Sequence, residues 1–205
     1  MLLPVIFDID GVLLDVRPSF YAIISDISGA TYAEIRAFKD AGGFNDDWEL
    51  ARAAIAWIAA GRPLPIRAGG WRAVVARCGH DPGDVSEMCR SMYHGGKWRE
   101  EKPLLETSKL ARLASATSVY ACTGRDAAEL ALAETRLGFH FERATTCEHV
   151  RKPDPLALLR LAPHGHYFGD TEDDRACAAA AGFIYHHVTT DPVAMVDTLL
   201  EEAGA

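Results

Sequence analysis

Residues 4–9 read PVIFDI, a short, apolar, β-branched run that carries Asp8 and leads straight into Asp10-Gly11. Such a run is a buried strand. A strand buried on both faces needs parallel neighbours covered by helices. The next residues do not supply them: helical patterns without a convincing strand continue to about residue 103. Thr31 and Glu34 form a capping box that opens one helix, which ends at Gly42-Gly43. Asn45 or Asp46 caps a helix over 48–60, stopped by Gly61 with Pro63 beyond. Further helical patterns fit 68–78 and 84–94.

The rhythm then changes. Strand patterns at 117–122, 141–145, 166–168 and 183–188 alternate with helical patterns at 126–137, 154–161, 172–181 and 192–202. Alternation of this kind makes parallel βαβ units with right-handed crossovers. The expected fold is therefore an α/β, Rossmann-like parallel-sheet core (1–14 and 104–205) interrupted by an all-helical insertion (15–103). A ligand site belongs at the carboxyl ends of the strands.

Charge follows the same division. The chain has 205 residues and a net charge of −8. Residues 15–103 hold 12 acidic and 12 basic side chains, so the whole acidic excess lies in the core. A net-acidic chain is a poor general ligand for nucleic acid or an anionic membrane. No apolar run approaches the roughly 20 residues of a membrane span. The N-terminal apolar stretch has no preceding Lys or Arg and is broken by Asp8 and Asp10, unlike a secretory leader. The cysteines are five, with no CxxC pair, which fits reduced, mostly buried thiols. Cytoplasmic location is the expectation.

Four stretches carry chemistry. Asp8 and Asp10 are spaced i, i+2 at a strand end, a spacing that points both to one side. Their repulsion and desolvation call for a cation or a shared proton. One division of labour is Asp8 ionised as nucleophile and Asp10 protonated as general acid; the plainer alternative is two solvated carboxylates. Asp170 and Asp174, after the 166–168 strand, are about one helical turn apart and suit Mg²⁺. The alternative is acidic capping of a helix. Thr123-Gly124, after the 117–122 strand, offers a hydroxyl and an amide at a helix start, a phosphate cradle or an ordinary turn. Lys152, before Pro153, offers a point cation to an anionic group or to Asp8, or is simply solvated.

In order these are D-x-D-G, T-G, K-P and G-D-x-x-x-D, each just past a strand. The set resembles the haloacid dehalogenase (HAD) superfamily over the whole core. The helical insertion between the first two motifs, with the run GDTEDDRACAAAAG, resembles the subfamily with an inserted helical cap domain, as in phosphoglycolate phosphatase and β-phosphoglucomutase. The resemblance implies that Asp8 forms an aspartyl-phosphate and that Asp10 protonates the leaving alcohol and then activates water. It implies Mg²⁺ on the Asp8 carboxylate, the Asp10 carbonyl and Asp170, with Asp174 bound directly or through water. Thr123 and Gly124 would hold phosphate oxygens, with Lys152 offsetting charge. It also implies that the first and fourth core strands are central neighbours. The expected reaction is hydrolysis of a small-molecule phosphate ester by a monomer or homodimer, without nucleic acid or membrane.

Phosphomutases resembling β-phosphoglucomutase carry Thr just after the last Asp of the first motif and His four positions on. Val16 and Phe20 stand there instead. Dehalogenases lack the second acid that Asp10 supplies. A non-catalytic binding protein would lack a motif residue, and none is missing. Lesser features are His164, His166, His186 and His187, read as exposed or hydrogen-bonded, and four tryptophans (Trp48, Trp57, Trp71, Trp98), read as insertion core. Asn45 to Trp48 is a helix cap or a substrate-facing loop. Arg36, Lys39, Arg67 and Lys97 are solvated charges or contacts for an anion.

Overall fold

Residues 3–62, 65–67, 69–189 and 192–203 are described by the computed structural model. The first strand, β1 (Val5–Phe7), is fully buried. The chain then turns tightly, with Gly11 N–H donating to Leu14 and Leu13 N–H to Ile9, and enters β2 (Leu14–Asp15).

Val16–Glu101 forms one compact unit. Its regular elements, among the described residues, are all helical: a π-helical turn at Arg17–Tyr21, α1 (Ala22–Ser28), α2 (Tyr32–Ala41), α3 (Asp47–Ala59), α4 (Gly70–Cys78), α5 (Ser86–His94) and a 3-10 turn at Lys97–Glu100. Thr31 and Glu34 make both bonds of the expected capping box. Asp46, rather than Asn45, caps α3 by accepting from Trp48 and Glu49 N–H. The fifth helix starts two residues later than its pattern indicates, because the Asp84 carboxylate takes the Ser86 N–H at the helix entry. Pro63 and Ala68, which the sequence reading uses as helix boundaries, lie outside the described residues.

An aromatic core holds this unit. Phe20 stacks on Tyr93 with ring centroids 4.6 Å apart and meets Trp48 at 5.0 Å, and Phe38 meets Phe44 and Trp57. Such pairs contribute about 0.5–1.5 kcal/mol beyond the area they bury. Trp48 and Trp57 are buried, while the Trp71 ring lies 3.9 Å beneath the Arg52 guanidinium. Lys39 is paired with Asp47, Arg36 with Asp40 and Lys97 with Glu100. Glu101 is fully buried and accepts from Ser19 Oγ and Tyr93 OH.

Met1–Asp15 and Lys102–Ala205 form the other unit. The chain re-enters through β3 (Lys102–Pro103), antiparallel to β2 with Leu14 opposite Pro103. The rest is α6 (Thr107–Ala116), β4 (Val119–Cys122), α7 (Ala127–Leu137), β5 (Ala144–Thr145), α8 (Leu156–Leu159), β6 (His166–Gly169), α9 (Glu172–Ala181), β7 (Ile184–His187) and α10 (Val193–Ala203). The sheet order is β5-β4-β1-β6-β7, with every described pairing parallel. The expected α/β fold is present, and β1 lies between β4 and β6 as the resemblance implies. Phe7 and Phe168 pack ring to ring across β1 and β6 at 4.8 Å.

Several element readings change. The ribbon of β2 and β3 falls where the sequence shows only helical patterns, because two-residue strands leave no periodicity. The sequence reading also has no element at α6, whose Thr, Ser and Ala content reads as a loop. The helix expected over 154–161 is a single turn. Pro153 and Pro155 lack N–H donors at its start, and Arg143 bonds the Arg160 and Leu161 carbonyls at its end. The strand expected over 141–145 keeps two residues at the sheet edge.

Candidate active site

The four sequence motifs all follow strands of the parallel sheet, so they gather at its carboxyl end. Asp8 leaves β1 with its N–H on the Phe168 carbonyl of β6. Asp170 follows β6 directly, and Thr171 caps α9 with a box closed by Asp174. One carboxylate oxygen from each of Asp8, Asp170 and Asp174 lies within 4.8 Å of the others, and all three residues are buried. Asp10 does not join them. Its backbone is in the turn after β1, and its carboxylate goes to Arg125 Nη2 at 2.6 Å.

Lys152 binds two members of the cluster. Its Nζ is 3.0 Å from Asp8 Oδ1 and 2.6 Å from Asp174 Oδ1. Burial alone would lower the Lys152 ammonium, but the Asp174 and Asp8 charges outweigh it and hold the group well above its ordinary range. Burial raises the Asp8 carboxyl well above its ordinary value; Lys152 opposes this, and the Asp174, Asp10 and Asp170 charges add to it. Burial also works to raise Asp174. There the Lys152 charge and the bonds from Lys152, Thr171 and Tyr167 prevail, and Asp174 sits below the usual carboxylate range.

Asp174 is heavily bonded. Oδ1 accepts from Lys152 Nζ and from Tyr167 OH at 2.6 Å. Oδ2 accepts from the Asp170 and Thr171 amides and from Thr171 Oγ1 at 2.6 Å. Asp174 therefore ties Lys152 and the Asp170 turn together. Two glycines make room for this. A Cβ on Gly11, at φ 76°, would lie 2.4 Å from Asp170 Oδ2, and one on Gly169 would lie 2.4 Å from Asp174 Cβ. Three buried carboxylates, two of them sharing one ammonium and the third with the glycine turn pressed against it, fit a small hard cation with oxygen ligands.

On the β4 side, Thr123 is buried and its Oγ1 accepts the Arg125 N–H. Among the described residues, the Thr123 O–H and the Gly124 N–H donate to no protein group, so both are available to an anion. The start of α7 is not. Asp126 caps it, and Glu148 takes the Ala127 N–H, so acidic side chains occupy the helix terminus that the sequence offers as part of a cradle. Of the histidines, His166 Nδ1 bonds His186 Nε2 at 2.9 Å, and His187 Nδ1 bonds Tyr185 OH.

Sequence reasoning gives no role to two residues that shape the site. Tyr167 sits inside β6, where it reads as one more apolar position, yet its OH lies between Lys152 and Asp174. Arg125 directly follows the T-G pair and is buried against Asp10. Its adjacency to that motif is the one signal that singles it out.

No family model matches the chain, and no curated protein matches it. Solved structures do. Phosphatase Tt82 from Thermococcus thioreducens is 26% identical and superposes with a TM-score of 0.75, covering 97% of this chain and 99% of that one. A HAD-superfamily hydrolase of subfamily IA, variant 1, from Geobacter sulfurreducens is 20% identical with a TM-score of 0.53, covering 97% and 96%. A candidate β-phosphoglucomutase from Thermotoga maritima is 19% identical with a TM-score of 0.53, covering 100% and 92%. The chain has the fold of the HAD hydrolases over nearly its whole length.

Proposed function

We propose that the protein is a Mg²⁺-dependent phosphomonoesterase acting on a small phosphorylated metabolite, with Asp8 as nucleophile. The observation that carries this reading is the buried cluster of Asp8, Asp170 and Asp174 at the carboxyl end of the sheet, with Lys152 bound to Asp8 and Asp174. Likeness to a phosphatase at 26% identity supports it.

The Asp8 carboxylate, the Asp10 carbonyl and Asp170 would hold Mg²⁺, and Asp174, its oxygens already engaged, would reach it through water. The ion would neutralise charge on the phosphoryl group and the carboxylates. Thr123 O–H and Gly124 N–H bind phosphate oxygens, and Lys152 steadies Asp8. An Asp8 oxygen attacks phosphorus; the bond from phosphorus to the ester oxygen breaks, and Asp10 gives that oxygen a proton. Water then attacks the aspartyl-phosphate, its proton returns to Asp10, and phosphate leaves. Positioning and charge stabilisation carry most of such a transfer.

The test is phosphate release from a panel of phosphomonoesters, with Mg²⁺ and with chelator, for the wild type, Asp8→Asn and Asp170→Ala. Release should require Mg²⁺, vanish in Asp8→Asn, and need at least about tenfold more metal in Asp170→Ala. Release that survives the chelator or the Asp8→Asn change would overturn the reading. A stable phosphoenzyme without phosphate release would point to phosphotransfer instead.

A further inference from the structure

We propose that Arg125 is a positioning residue for the proton transfer: it fixes the Asp10 carboxyl so that Oδ2 is the oxygen that delivers the proton and takes it back. This rests on the phosphatase reading above and deepens it.

Arg125 heads the largest fully buried side chains, at 1% exposure. Burying a guanidinium is costly unless it is well bonded. The strongest arrangement with a carboxylate spreads two N–H donors over both oxygens. Here both donors converge on one: Nε reaches Asp10 Oδ1 at 2.8 Å and Nη2 reaches the same atom at 2.6 Å. Among the described residues, Oδ2 accepts no hydrogen bond. The third nitrogen, Nη1, donates to the Glu129 carbonyl. The Arg125 backbone is held as well, its N–H on Thr123 Oγ1 and its carbonyl accepting from Cys147 N–H.

The consequence is a sorted carboxyl. Oδ1 already accepts two charge-assisted bonds, so a proton binds at Oδ2. The Asp10 side chain is 11% exposed while Arg125 is buried beneath it, so the carboxyl has an open side that the guanidinium does not fill. In the forward step the Asp8 oxygen–phosphorus bond forms, the phosphorus–ester oxygen bond breaks, and the Oδ2 proton passes to the departing oxygen to give the free alcohol. When water attacks the aspartyl-phosphate, its proton returns to Oδ2. Arg125 also supports Thr123, so the acid and one phosphate donor rest on the same residue.

The test uses two esters and two readouts. An alkyl phosphate needs its leaving oxygen protonated, whereas 4-nitrophenyl phosphate expels a stable anion. The comparison is made on kcat/KM, which reports the steps through departure of the alcohol. Arg125→Lys keeps the charge but replaces the planar fork by one nitrogen, and Arg125→Gln removes the charge. In both, the alkyl ester should lose about 10²-fold, the scale of a misplaced catalytic group, and the aryl ester less than about threefold. Asp10→Asn should discriminate in the same sense, and adding Arg125→Lys to it should cost the alkyl ester nothing further, since the two act as a unit. Equal losses on both esters, full additivity, or no loss would overturn the proposal. If Arg125→Gln fails to fold, Arg125→Lys carries the comparison. A wild type inactive on every ester would remove the phosphatase reading and this inference with it; an active wild type whose Arg125 variants lose both esters alike would remove this inference alone.

Discussion

In the helical unit, Lys39 and Asp47 bury one ammonium against one carboxylate, 2.9 Å apart and each 8% exposed. In the sheet unit, Lys152 serves Asp8 and Asp174 together, and Asp170 shares the cluster. The first arrangement sets one ammonium beside one carboxylate. The second gathers more carboxylate than its lysine offsets, and burial makes that excess costly. A fold keeps a balanced buried pair for shape. It keeps an unbalanced one where something from outside, a cation or a phosphoryl group, completes it.

The largest expected effect breaks the sheet cluster. Lys152→Met strands two buried carboxylates and should cost about 3–5 kcal/mol of stability and nearly all phosphate release. Mg²⁺ should restore part of the lost Tm in that variant, since a divalent cation can take over some of the compensation. Thermal unfolding with and without Mg²⁺ checks this, and an unchanged Tm in metal-free Lys152→Met would mean that the cluster does not depend on its lysine.

The helical pair should behave differently. Lys39→Met alone should destabilise by a similar amount, but Lys39→Met with Asp47→Leu should return to within about 1 kcal/mol of the wild type, because a balanced pair can be exchanged for apolar packing. Denaturant titration of the single and double variants measures it. The Mg²⁺ requirement should not move in either.

The pH dependence is expected to separate the units further. Asp8 lies well above 3.8, chiefly through burial. Below its raised value Asp8 is protonated and must lose a proton to hold a cation; above it, none is released. Mg²⁺ affinity should therefore fall as pH drops through that range, by about tenfold per unit for one proton. Titration calorimetry in two buffers of different ionisation heat detects the released proton, and identical heats would count against it. The opposite sign applies to the metal-free fold: ionising Asp8 removes stability as pH rises through its raised value, so Asp8→Asn should unfold at a higher temperature than the wild type above that range.

The smallest effect is Tyr167→Phe. It removes one donor to Asp174 and should cost about 1–3 kcal/mol with little change in kcat. Thermal unfolding beside a steady-state assay resolves the two. A large loss of kcat would make Tyr167 part of the chemistry rather than a support of Asp174.

The motifs at strand ends are legible in the sequence because each is a local pattern: an apolar strand, then a short polar turn. That pattern places Asp8, Thr123 and Asp170 at one end of the sheet. It says nothing about partners far along the chain. Arg125 meets Asp10 across 115 positions, and Tyr167 looks like any apolar strand residue until its OH meets Lys152 and Asp174. The helix caps succeed for the opposite reason: Thr31 with Glu34, and Asp46 with the start of α3, are contacts within one turn.

The short ribbon of β2 and β3 has a bearing on how such a chain can be taken apart. Leu14 faces Pro103 and Asp15 faces Lys102, so the two points where the chain leaves and rejoins the sheet unit are backbone neighbours. Closing a loop costs free energy that grows only with the logarithm of its length. Everything from residue 16 to 101 can thus be viewed as the contents of one hairpin, and a tight two-residue turn in its place would join ends that already meet. The sheet unit is in this sense a socket, open to exchange of what it carries without any change in how its own strands are threaded.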